Sequence, residues 1–200
     1  NTEQRYGVVA QWLHWGMFAL IALQIVGGHV LEELPKRTAI RGFAFDAHET
    51  LGLIALFLVF LRLSWKMANP TPVAASGRTW QQYAARAAHV ALYVLMVAVP
   101  VVGYLMVDSK GFDVAFFGWA APDLVATDKA LADRLNSLHA ALAWALTGIV
   151  ALHAGAAVWA GRAERRFRRR GNESWAGLAE LARLRAALPA TKAPLPLASR

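Results

Sequence analysis

Six histidines occur in 200 residues, and their placement is the strongest chemical signal in the chain. His139 and His153 lie in one long apolar run, 14 residues apart. On a helix, 14 × 100° returns to within about 40° of the start, with an axial step of roughly 21 Å. Both imidazoles therefore share one face of one helix, near opposite sides of a hydrocarbon core about 30 Å thick. Between them that face carries Ala143, Leu146 and Val150, all apolar. A polar ring that is costly in lipid thus occurs twice on one stripe, and a redox cofactor at each height would satisfy both.

The elements that must position these rings are legible as four apolar runs, 8–31, 51–67 (starting as early as Ala47), 84–107 and 138–161, each long enough to span a bilayer. Hydrophobic residues make up 57% of the chain and charged ones 17%. The expected architecture is all-α, a four-helix transmembrane bundle. The first run is too long for a secretory signal and holds His14 near Trp12 and Trp15. Because successive spans alternate direction, depth can be read from sequence. His14, His89 and His153 fall at one level, and His29, His48 and His139 at the other. An iron held by two imidazoles needs both at one height on facing helices. The last span supplies one at each height. Its partner is His14 or His89 at the first level and His48 or His29 at the second.

The chain has no cysteine, which removes disulfides, thiolate-bound iron–sulfur clusters and covalent haem attachment. The net charge of +8 would suit a nucleic-acid partner until the charges are placed. Fifteen of the 21 Lys and Arg residues fall with the N-terminus, the loop near 66–83 and the C-terminal tail; nine of the 13 acidic residues fall on the other side. The positive-inside rule puts both termini in the cytoplasm and accounts for the basic charge without nucleic acid. Residues 1–161 form the expected membrane domain. Residues 162–200 form a basic tail, with an amphipathic helix from Ser174 to about Leu188 lying on anionic lipid.

Several smaller features surround the histidines. Gly52 follows His48 by one turn, leaving room either for a flat ring or for close helix packing. His89 and Tyr93 are one turn apart, placed to hydrogen-bond a propionate or a quinone carbonyl or simply to pack. Pro100 would kink the third span, and Gly103 lies near the same face. Phe112, Phe116, Phe117 and Trp119 read as an interfacial flap over whatever lies below. Thr127 or Asp128 can cap a helix leading into the last span. No phosphate loop, zinc-protease helix, nucleophile elbow or calcium loop is present to assign a catalytic residue.

Leu13-His14-Trp15, His48-x-x-x-Gly52, His89-x-x-x-Tyr93, Pro100-x-x-Gly103, Phe116-Phe117-Gly118 and the pair His139 and His153 together resemble the bacterial diheme cytochrome b561 family. The resemblance covers approximately residues 4–161, with similar spacing in the cytochrome b subunits of membrane hydrogenases and formate dehydrogenases. It implies two haem b groups, one with iron on His14 and His153, the other on His48 and His139. It implies residence in the bacterial inner membrane and electron exchange between quinone, ubiquinone in one member, and a periplasmic-side partner, which is superoxide in that member. The alternatives are the membrane-anchor cytochrome b subunit of a dehydrogenase complex, with a dehydrogenase subunit as partner, and a haem-binding scaffold without turnover. His29 and His89 are left over, and the tail departs from the family pattern.

Overall fold

The computed structural model describes the backbone of residues 6–70 and 79–187, with side chains up to Arg166 except Glu164. Arg5 and Leu188–Arg200, where part of the basic charge and the end of the expected tail helix fall, lie outside the described residues. Four helices account for nearly all of the described backbone: α1 (Val8–Glu33), α2 (Ala39–Ala68), α3 (Thr79–Ser109) and α4 (Lys129–Ala187). The first three, and the Lys129–Ala163 part of α4, are long and apolar enough to cross a membrane. The architecture is the expected all-α, four-span one. Two compact units divide the chain, Asn1–His153 and Ala154–Arg200.

A helix satisfies its own backbone polar groups, so runs of Leu, Val, Ile and Ala can sit in hydrocarbon as helices without penalty. Their large side chains face outward accordingly: Trp12, Phe57, Val90 and Leu152 are all exposed. The buried core is small, made of Met17, Ile21, Ala55, Val59, Leu92, Met96 and Leu146. Helix α1 packs closely on α2, and α2 on α3, whereas α4 has no comparably close backbone approach to its neighbours among the described residues. Space is therefore left inside the first unit, along the histidine face of α4.

Three helices start earlier than the apolar runs. Helix α2 begins at Ala39, where the Thr38 hydroxyl accepts from the Arg41 N–H. Charged residues such as Arg41 and Asp46 end a hydrophobic run without ending a helix. Helix α4 begins at Lys129, capped by Asp128, whose carboxylate accepts from the Ala130 and Leu131 N–H groups at 2.8 and 3.1 Å. Helix α3 continues through Pro100. The separate tail helix expected from Ser174 is not separate, because α4 runs unbroken to Ala187. Arg, Glu and Ala in the intervening stretch are good helix formers, and a single glycine costs only about 1 kcal/mol.

Between α3 and α4 the chain forms a small hairpin, β1 (Ala115–Phe116) paired antiparallel with β2 (Trp119–Ala120). Phe117 and Gly118 both adopt left-handed backbone, φ 52° and 81°, as a two-residue turn joining twisted strands requires. The loop is tied down by Asp108, 4% exposed, whose carboxylate accepts from the Leu124 and Val125 N–H groups at 2.6 and 2.8 Å.

Candidate functional site

The six histidines separate into two clusters. At one end of the bundle His14 of α1, His89 of α3 and His153 of α4 converge. The ring centroids of His14 and His153 are 6.4 Å apart, and those of His89 and His153 are 5.3 Å apart. Two metal–nitrogen bonds of about 2 Å each, plus the radii of two imidazoles, add to roughly the larger separation. Tyr93 lies on this side with the Arg62 guanidinium 5.9 Å and the Lys66 ammonium 5.5 Å from its ring centroid. The Trp65 indole nitrogen is buried and has no hydrogen-bond partner among the described residues.

At the other end, a cavity of about 410 Å³ is lined by His48 and His139, with Gly28, Gly52 and Gly103 in its wall. That volume is within the range of cofactor pockets, about 300–1,000 Å³. The His139 Nδ1 lies 3.0 Å from the Val99 carbonyl oxygen. A carbonyl can only accept, so Nδ1 carries the proton and Nε2 keeps its lone pair free, the form a metal-binding imidazole requires. The ring can approach α3 this closely because residue 103 is glycine: a Cβ there would sit 2.9 Å from His139 Cε1.

His48 is braced differently. The Gln24 side-chain amide of α1 donates to the His48 backbone carbonyl at 2.9 Å. A Cβ on Gly52 would meet that amide nitrogen at 3.2 Å. Gly52 therefore lines the cavity and also makes room for Gln24. The His48 Nδ1 is buried and has no hydrogen-bond partner among the described residues. His29 lies on the same cavity, its ring 4.7 Å from that of Trp144.

The hairpin closes the rim of this cavity. The Ala115 N–H donates to the Glu49 carboxylate at 2.8 Å, the Thr50 hydroxyl donates to the Ala115 carbonyl, and the Phe117 N–H donates to the same hydroxyl, both at 3.2 Å. Val114 faces the cavity and is 4% exposed. The aromatic residues expected to form the roof turn away instead, with Phe117 68% exposed. Backbone and Val114 do the covering. Arg41 lines the cavity but donates to the carbonyls of Leu31 and Leu34, closing the end of α1.

Gln24, Glu49 and Thr50 were not singled out by sequence. Gln24 carried a usable signal, a polar residue deep in an apolar span; the other two read as ordinary polar neighbours of His48. At the His48 and His139 end, an orphaned imidazole nitrogen, a second imidazole in its metal-binding tautomer and a cavity of cofactor size fit a flat metal-bearing group that these imidazoles would hold. Paired rings suit an iron whose other four positions a porphyrin fills.

Four membrane-spanning helices with interior histidines at two levels define a multi-pass membrane haem protein. The sequence profile of prokaryotic cytochrome b561 matches residues 5–169, and the chain belongs to that family, as a multi-pass protein of the bacterial inner membrane. It is similar to "Cytochrome b561 homolog 2" of Escherichia coli K12, 32% identical over 168 residues that cover 76% of this chain and 82% of the relative. It is 25% identical to "Cytochrome b561 homolog 1" of the same organism, over 78% of this chain and 89% of that one. A "Probable superoxide oxidase CybB" of Yersinia pestis is 25% identical over 78% of this chain and 88% of its own length.

Proposed function

We propose that this chain holds two b haems and carries electrons across the inner membrane between a quinone and a partner on the periplasmic side. The observation that carries the reading is the pairing of imidazoles at both levels: His14 facing His153 at 6.4 Å, and His48 and His139 lining one cavity. His14 and His153 would hold the inner haem, His48 and His139 the outer one. When bound, haem supplies a reversible one-electron site whose potential its surroundings set.

The chain's own residues prepare that site. Val99 fixes the His139 tautomer through its carbonyl. Ile21, Ala55, Met96 and Leu146 keep the space between the two levels dry. His89 and Tyr93, beside Arg62 and Lys66, offer polar groups at the inner level for a propionate or a quinone carbonyl. The two levels are roughly 21 Å apart along α4, and ring edges approach more closely than that.

Superoxide is a candidate donor because one relative is named for its oxidation. The outer side carries six basic and nine acidic residues, an overall field that repels an anion. A general quinone-linked carrier is therefore the favoured form of the proposal. Anaerobic mixing of the purified protein with ubiquinol tests it: b-type absorption bands should develop, and His14→Ala should lose one haem's share of them. Bands that never respond to quinol would contradict a quinone-linked role. Faster reduction by enzymatically generated superoxide would identify the donor.

A further inference from the structure

His48 sits in α2 between two braces. From α1, Gln24 holds its backbone carbonyl. From the outer loop, the hairpin holds the two residues that follow it, Glu49 and Thr50, through three hydrogen bonds to Ala115 and Phe117. Thr50 is 9% exposed, and its hydroxyl is used as both donor and acceptor by hairpin backbone. Successive residues on a helix are rotated by about 100°. Fixing positions 49 and 50 therefore fixes the rotation of α2 about its own axis, and with it the direction of the His48 ring. The leverage is large, because a turn of about 10° moves a side chain some 6 Å from the axis by roughly 1 Å. Metal sites tolerate only about half that.

The same contacts seat Val114 against the cavity, so one small element both aims the ring and excludes water. We propose that Glu49 and Thr50 are positioning residues for His48, acting through the hairpin as a clamp that also seals the outer cavity. The proposal rests on the reading of His48 as a haem ligand.

Three variants separate the clamp from charge alone. Glu49→Ala and Thr50→Val remove the contacts, whereas Glu49→Gln keeps a side-chain oxygen that can accept the Ala115 N–H. The chain has no cysteine, so Val114→Cys adds a single reporter of the seal, with Trp119→Cys as an exposed control. In purified holoprotein, the haem signal lost in His48→Ala identifies the outer site. Glu49→Ala and Thr50→Val should shift that signal's EPR spectrum and midpoint potential and leave the other haem unmoved. They should also speed maleimide labelling of Val114→Cys by about tenfold or more, while Glu49→Gln stays within about twofold of the parent. Unchanged labelling and an unmoved outer signal would overturn the proposal, as would Glu49→Gln behaving like Glu49→Ala. If His48→Ala costs no haem signal, the ligand reading fails and the positioning role with it; labelling that still responds to Thr50→Val would show that failure to lie in the ligand assignment, not in the clamp.

Discussion

His139 meets α3 through two neighbouring positions that impose opposite demands. The Val99 carbonyl needs the ring close, at 3.0 Å from Nδ1, and residue 103 must then carry no side chain. Gly103→Ala places a methyl where His139 Cε1 is 2.9 Å away, so the ring must swing away from α3. Overpacking of this kind costs about 1–3 kcal/mol, and the hydrogen bond breaks before the helices part. Pyridine haemochrome quantitation of Gly103→Ala should show loss of about half the haem. Gly148→Ala, with open space around its Cβ, should retain all of it. His89 makes a second residue-scale contrast. It is a third imidazole at a level where two suffice, so His89→Ala should keep the full haem content that His14→Ala loses.

At the scale of elements, the loop between α3 and α4 is more firmly built than its composition implies. Asp108 replaces two hydrogen bonds that the Leu124 and Val125 amides would otherwise make to water. Asp108→Ala removes the acceptor of both from a site that is buried on the Asp108 side and open on the Leu124 side. It should cost about 1–3 kcal/mol, read as a lower midpoint of thermal unfolding in detergent. The hairpin that this carboxylate steadies was not legible in sequence. Two-residue strands carry no alternation to detect, and Phe117 is an unusual left-handed residue that only Gly118 hinted at. The spans were legible because lipid enforces one rule on every residue of a run. Their ends were not: hydropathy stops at Ala47 or Leu51, whereas hydrogen bonding in α2 starts at Ala39. The tail differed for a similar reason, since Arg-rich sequence interrupts a membrane span without interrupting α4.

At the scale of the whole molecule, the two histidine levels could be read from spacing alone, because helix geometry converts 14 residues into a fixed height and face. Which residues hold the rings in place could not. Gln24, Glu49 and Thr50 act through contacts 24 or more residues away in sequence, which no local pattern announces. The charge asymmetry predicts both termini on the cytoplasmic side. In this cysteine-free chain, Asp113→Cys should be labelled by an impermeant maleimide from the periplasmic side, and Arg166→Cys only after the membrane is broken. On the proposed reading, four imidazoles on two storeys would hold two iron porphyrins, two imidazoles to each. Haem content and low-temperature EPR of the purified full chain test this directly. Two haems per chain are expected, both low-spin, as two imidazoles per iron would make them; a single haem, or a high-spin centre, would contradict the paired assignment.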